Sequence, residues 1–262
     1  MKDLRGKSVW VTGASSGIGE SLSRQLAAMG CRLILSSRRE AELKRVADSC
    51  SGAQSVAILP LDLGKPETLA GVVHRAVADH GPIDIMVHNG GVSQRAEARE
   101  TLFEIDDLIL RTNYLGPVAM TKALLPSMLD RKQGHFVVVT SALGRFSIPT
   151  RSAYCASKHA LHGFFNALRA ESWKDGITVT LAVPGFVRTN VGLNALTGTG
   201  APLGREEREV SKGISSDLCA SVIISAARGE AQEVFIGGLK ERIALAVSHL
   251  APPLFSRIVR KK

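Results

Sequence analysis

Strand-length apolar runs and helix-period stretches alternate from one end of the chain to the other. The runs at 7–12, 32–36, 55–59, 83–88, 134–140, 177–183 and 232–236 are rich in Val, Ile and Leu and mostly lack polar alternation. That is the pattern of strands buried on both faces of a parallel sheet. Between them, amphipathic segments occupy 17–29, 39–50, 66–80, 101–131 and 151–174. Gly30 ends the first of these, Gly64-Lys65-Pro66 opens the third and Gly81-Pro82 closes it. Repeated βα units with right-handed crossovers predict an α/β fold, a doubly wound parallel sheet of about seven strands with helices on both faces.

One stretch breaks the rhythm. Residues 187–213 carry Gly192, Gly198, Gly200, Pro202, Gly204 and Gly213 around the charged run Arg205-Glu206-Glu207-Arg208-Glu209, and a long glycine-rich insertion inside a compact domain predicts a lid. No internal repeat and no second domain is visible, so residues 1–262 are expected to form one domain.

Composition narrows the classes. The net charge is +9, but Arg257, Arg260, Lys261 and Lys262 are clustered at the tail, and no basic run is interleaved with aromatics as a nucleic-acid groove requires. An anionic cofactor or substrate, or an acidic membrane surface, accounts for the charge as well. No apolar run approaches the ~20 residues of a membrane span, and the residues after Met1 have no signal-peptide layout, so a cytoplasmic location is expected. Cys31, Cys50, Cys155 and Cys219 are widely spaced and predict free thiols.

The first candidate chemistry lies where the first strand runs into Thr12-Gly13-Ala14-Ser15-Ser16-Gly17-Ile18-Gly19 and a helix follows. Glycines let the backbone approach a pyrophosphate, and a helix N-terminus offers unpaired N–H groups and the positive end of its dipole. The spacing is GxxxGxG, not the GxGxxG of the usual dinucleotide fingerprint. At the tip of the second strand, Leu35-Ser36-Ser37-Arg38-Arg39 holds no acid for a ribose diol. Arg38 or Arg39 there suits a 2′-phosphate, so NADP(H) is favoured over NAD(H), with Glu40 as the counterweight.

The second candidate is Tyr154-Cys155-Ala156-Ser157-Lys158. On a helix, the i to i+4 spacing stacks the phenol and the ammonium on one face. A nearby cation favours the phenolate and makes Tyr154 a usable acid or base at neutral pH. His159 and His162 lie at i, i+3 on the same helix, but no third ligand accompanies them; they read as surface or interface residues, and no metal site is expected. His88 reads as a strand-end residue near the cofactor and Cys155 as a packed small residue.

With these pieces in this order, the chain resembles the short-chain dehydrogenase/reductase family over nearly its full length. Thr12 to Gly19 looks like that family's TGxxxGxG loop, and Asp62-Leu63 stands where its adenine-contacting Asp is found. Its NNAG motif appears as His88-Asn89-Gly90-Gly91, with His88 replacing the first Asn. Ser141, thirteen positions before Tyr154, matches the catalytic Ser, and Asn113 matches the Asn that completes the tetrad. Pro184-Gly185-Phe186-Val187-Arg188-Thr189 resembles the PGxVxT segment whose Thr holds the nicotinamide carboxamide. Within the family, Asn89 to Arg95 and Tyr154 to Leu161 are worded like the member 7 branch of the dehydrogenase/reductase proteins, akin to 11β-hydroxysteroid and retinoid dehydrogenases.

The resemblance implies a Rossmann fold and an NAD(P)-dependent oxidoreductase that interconverts a carbonyl and an alcohol. Tyr154 would move the proton, Lys158 would lower the phenol's pKa and hold the nicotinamide ribose, Ser141 would hydrogen-bond the substrate oxygen, and Asn113 would anchor a water leading to solvent. Leu143, Phe146, Phe186, Leu193 and Leu196 predict an apolar pocket for a hydrophobic ketone or alcohol, with Arg145 or Arg188 as selectors of a charged group instead. The tail, 239–262, is expected to pack across a homodimer or homotetramer in preference to lying on a membrane, because Pro252-Pro253 interrupts a long amphipathic helix. A ketoacyl-carrier reductase and a non-catalytic dinucleotide sensor are the competing readings.

Overall fold

The computed structural model describes residues 3–205 and 208–260. The chain start at Met1, Glu206 and Glu207 of the charged run, and Lys261 and Lys262 of the basic tail lie outside these. Seven strands, β1 (Ser8–Thr12), β2 (Arg32–Ser36), β3 (Ser55–Ile58), β4 (Ile85–His88), β5 (Gly134–Val139), β6 (Ile177–Pro184) and β9 (Glu233–Ile236), form one sheet in the order β3-β2-β1-β4-β5-β6-β9. All six pairings are parallel. Each is one of the apolar runs that the pattern predicts.

The strands lack polar alternation because both faces are covered. Val9 and Val11 on β1 join one core with Leu33, Leu35 and Val137, while Trp10 between them points into the other core with Ile34, Met86, Phe136 and Phe165. The first core is roofed by α1 (Gly17–Ala28), α2 (Glu40–Asp48) and α8 (Ser216–Arg228), the second by α3 (Pro66–His80), α5 (Gly116–Asp130) and α6 (Ser152–Glu171).

Three departures from the sequence reading have local causes. The stretch expected as one helix over 101–131 is α4 (Phe103–Leu110), a π-turn (Arg111–Leu115) and α5. Gly116 lies so close to the loop after β3 that a Cβ would sit 2.5 Å from the Leu63 carbonyl oxygen, and Pro117 supplies no N–H, so the regular ladder is interrupted there. Helix α8 was not foreseen next to the glycine-rich segment, although Ser215 caps it by accepting a hydrogen bond from the Leu218 N–H at 3.2 Å and its buried Cys219, Ala220, Ile223, Ile224 and Ala227 keep helical spacing. Finally, the segment 187–213, expected as a glycine-rich lid, carries short elements that the pattern did not indicate: β7 (Val187–Arg188) pairs in parallel with β8 (Ile214–Ser215), and α7 (Arg208–Ser211) lies between them.

The tail forms α9 (Leu239–Leu250) and α10 (Pro252–Val259), broken at the prolines as expected. Phe255 packs edge-on against Phe146 at 5.4 Å, so the tail folds back onto its own domain. Leu239, Ile243 and Leu250 stay exposed. No helix among the described residues is long and apolar enough to cross a membrane.

Candidate active site

Parallel strands all end at the same edge, and the order reverses between β1 and β4, which opens a crevice at the carboxyl ends of the strands. A cavity of about 560 Å³ occupies it. On one side stand Gly13, Ser15, Ser16, Gly17 and Ile18 of the β1–α1 loop, then Arg38 and Arg39 after β2, Asp62 and Leu63 after β3, and Asn89 and Gly90 after β4. On the other stand Ser141, Leu143, Phe146, Tyr154, Lys158, Pro184, Gly185, Phe186, Val187 and Thr189. Of the residues singled out in the sequence, Gly19 and Asn113 stand one layer behind.

The loop is built for close approach. Asn89 Nδ2 donates to the carbonyls of Thr12 and Gly13 at 3.0 and 3.2 Å, while Thr12 Oγ1 accepts from the Asn89 and Gly90 N–H groups at 3.1 and 3.2 Å. Gly13 has φ +64°, and a Cβ on it would sit 2.7 Å from Gly90 Cα. A Cβ on Gly19 would lie 2.2 Å from the Gly13 carbonyl oxygen. Ser16, the N-cap of α1, makes no side-chain capping bond, which leaves first-turn N–H groups facing the crevice. These features fit a dinucleotide pyrophosphate. Gly19→Ala is expected to cost about 1–3 kcal/mol of stability by overpacking and to weaken dinucleotide binding in parallel; a melting curve and a fluorescence titration read both, and an unchanged pair of values would show that the loop has slack.

At the tip of β2, Arg39 Nη2 donates to Ser15 Oγ and Ser16 Oγ, each at 3.1 Å. Arg38 is exposed and forms no ion pair or hydrogen bond within the described residues. Glu40 pairs with Lys44 at 3.1 Å and does not line the cavity.

The reactive side gathers on α6 and the end of β5. Lys158 Nζ donates to the Val139 carbonyl at 3.0 Å and lies 5.8 Å from the centre of the Tyr154 ring. Burial pushes the Lys158 ammonium down to about 8. The Tyr154 phenol is raised: desolvation is the largest cause, the Ser141 hydroxyl opposes it, Cys155 adds to it and Arg95 opposes it. The expectation that Lys158 brings the phenol's pKa down is therefore not what governs this arrangement. Lys158 is buried and Tyr154 half-buried at the cavity wall, and desolvation disfavours the charged form of each. Ser141 Oγ accepts from the Leu143 N–H at 3.1 Å, which fixes the hydroxyl at the cavity wall.

Asn113 sits on the π-turn with its side chain fully engaged: Oδ1 accepts from the Val92 N–H at 2.8 Å, and Nδ2 donates to the Val92 carbonyl at 2.9 Å and to Ser157 Oγ at 3.0 Å. It ties the loop after β4 to α6.

Several placements differ from the sequence reading. Arg145 does not line the cavity; it is paired with Glu233. Arg188 is exposed and faces away, and Leu193 is also exposed outside the cavity. Arg95 and Arg151 instead join Lys158 as cationic side chains on the Tyr154 side of the cavity, with Arg95 donating to Ser93 Oγ at 2.7 Å and to the Gln94 carbonyl at 2.6 Å. His162 is buried, not a surface residue, whereas His159 is exposed. His88 is buried at the end of β4, bonded to Thr121 Oγ1 at 2.8 Å and stacked on Phe136. Sequence reasoning also missed Glu241 of α9, which lines the cavity. Nothing in the sequence near 241 announces this, because it depends on the tail folding back.

The comparisons with known proteins agree with this fold. The model of the family described as short chain dehydrogenase matches residues 7–198, and the chain belongs to that short-chain dehydrogenase/reductase family, the NAD(P)-dependent oxidoreductases that act on CH–OH groups. Within it the chain falls in the member 7 branch. It is 43% identical to a dehydrogenase/reductase SDR family protein 7-like of Anopheles gambiae over 100% of this chain and 84% of that one. It is 36% identical to dehydrogenase/reductase SDR family member 7B of Mus musculus, over 99% of this chain and 82% of that one. A short-chain dehydrogenase from Streptomyces avermitilis superposes with a TM-score of 0.82 at 27% identity, covering 97% of each chain.

Proposed function

We propose that this oxidoreductase uses NADP(H) and acts on a lipophilic ketone or secondary alcohol. The observation that carries the reading is the convergence of Ser141, Tyr154 and Lys158 on one wall of a crevice whose other end is the glycine loop with Arg38 and Arg39. When bound, the dinucleotide supplies or accepts the hydride.

The chain's own residues handle the rest. The Tyr154 phenol is placed to donate a proton to a carbonyl oxygen, and in the reverse direction the phenolate accepts one; desolvation makes it a weaker acid than a free phenol, and the Ser141 hydroxyl opposes that effect. Ser141, held by the Leu143 N–H, hydrogen-bonds that oxygen as charge develops on it. Lys158 stands beside Tyr154 as the ribose-holding and charge-balancing group. Asn113 acts behind them as a brace, and with its side chain committed, a water is left to its backbone carbonyl. Thr189 and the Pro184–Val187 backbone serve the carboxamide end, and Asp62, Leu63, Asn89 and Gly90 flank the adenosine and ribose.

Leu143, Phe146, Phe186 and Leu196 give the substrate end apolar walls, with Arg95, Arg151 and Glu241 as charged groups beside them, which supports a substrate with a largely apolar body. The segment 187–213 crosses the cavity through Val187, Thr189, Asn190, Val191, Asn194, Leu196, Pro202 and Val210 and serves as its lid. The exposed apolar stripe of α9 supports a homodimer or homotetramer.

The preference for a 2′-phosphate is testable at Arg38. Arg38→Ala is expected to weaken NADPH by tenfold or more, the loss of about 1.5–3 kcal/mol for a hydrogen bond between charged groups, and NADH by less than about twofold. Fluorescence titration of each reduced dinucleotide reads the difference, and equal weakening of both would remove Arg38 from the phosphate site. NADPH consumption across a panel of ketones, aldehydes and ketoacyl thioesters tests the substrate class; turnover confined to thioesters would replace it with ketoacyl reduction.

A further inference from the structure

Glu241 is the one carboxylate of the described tail, 239–260, where Lys240, Arg242, Arg257 and Arg260 are its charged neighbours in sequence. It lies in the first turn of α9, where a helix dipole favours an acid. That accounts for its charge but not for its direction, since it forms no hydrogen bond back to the Gly238 N–H and no ion pair with any described residue.

Its side chain instead fills a space left by glycines. A Cβ on Gly185 would come within 3.0 Å of Glu241 Cγ and 3.2 Å of Oε1, and one on Gly238 would lie 3.1 Å from Oε2. The carboxylate is thus half-buried between the ends of β6 and β9 and lines the same cavity as Leu143 and Phe146. Phe255 on Phe146 pins the tail against that wall. Held at the cavity wall without a protein donor, the carboxylate is open to a donor group that enters the cavity.

Resting on the carbonyl–alcohol reading above, we propose that Glu241 determines specificity at the far end of the substrate, by accepting a hydrogen bond from a hydroxyl or ammonium group on an otherwise apolar carbonyl compound. Ser141 ends β5, and Glu241 stands over β6 and β9. Neighbouring strands are about 4.8 Å apart, so the donor belongs about 5–10 Å from the carbonyl.

The test uses a straight-chain methyl ketone of eight carbons and its counterparts ending in hydroxyl or dimethylamino, with wild type, Glu241→Gln and Glu241→Leu. Wild type is expected to favour the two donor-bearing ketones in kcat/KM, mainly through KM. Glu241→Leu is expected to lose about ten- to a hundredfold on them, with no loss on the plain ketone, and Glu241→Gln to spare the hydroxyl compound more than the cationic one. Dinucleotide affinity and melting temperature should match wild type in both variants. Calorimetric binding of the three ketones to the dinucleotide-loaded protein runs beside turnover. Preferential binding without turnover overturns the carbonyl–alcohol reading and leaves Glu241 as the selector. Equal binding of all three, or equal losses on all three in Glu241→Leu, overturns the role of Glu241.

Discussion

Tyr154→Phe is expected to lower kcat by about 10²–10⁴-fold, the usual worth of a positioned proton donor, while dinucleotide affinity stays within about twofold. The substitution keeps the ring, and with it the packing of α6 over the end of β5. It removes only the hydroxyl whose pKa is set by desolvation and the Ser141 hydroxyl. Lys158 keeps its bond to the Val139 carbonyl, so the ribose side should remain intact. Steady-state consumption of the reduced dinucleotide measures the first quantity and fluorescence titration the second. Full activity in the variant would remove Tyr154 from proton transfer. Loss of dinucleotide binding together with activity would make it a binding residue.

Acid is expected to unfold the protein at a pH where most carboxylates are still ionised. His88, His135 and His162 are buried, and desolvation, the first cause for each, pushes them down to about 3, about 4 and about 3. In the unfolded chain an imidazole titrates near 6.5. The unfolded state therefore takes up protons as pH falls below about 6.5 while the folded state does not, so the stability present above that value is lost progressively toward pH 3–4. At pH 5 each histidine costs about 2 kcal/mol, and the three together about 6 kcal/mol, comparable with the whole stability of a domain. Glu230 offsets part of the His135 share, and nearby cations such as Arg145 and Lys158 add to the His162 shift, whereas burial alone shifts His88, which makes it the cleaner probe. Calorimetric melting temperatures should fall steeply between pH 6.5 and 4.5, and His88→Asn should flatten the slope by about a third. A melting temperature level from pH 7 to 5 would refute the burial argument.

Much of this was readable from residue order because parallel strands in a doubly wound sheet announce themselves twice, as apolar runs and as the helical stretches that must separate them. Thr12 to Gly19 and Tyr154 to Lys158 are local signals too: each acts through spacing within one turn or one loop, and spacing is a property of sequence. The same holds for Arg38 and Arg39, whose place at the tip of β2 follows from the strand boundary alone. The interruption at Gly116-Pro117 was less legible, since its cause is the approach of the Leu63 carbonyl from a distant loop.

The sequence by itself determined the fold class, the glycine loop between β1 and α1, and the Tyr154–Lys158 pair. Only the tertiary structure decided the environment of each group. It buried Lys158 and three histidines and half-buried Tyr154, which moves their pKa values by desolvation, an effect no spacing encodes. It also turned Arg145 to Glu233, put Arg95 and Arg151 on the cavity wall, and brought Glu241 from the far end of the chain to Gly185. The Arg145–Glu233 pair and the approach of Glu241 to Gly185 join residues remote in sequence, and the second exists only because the tail packs back on the domain.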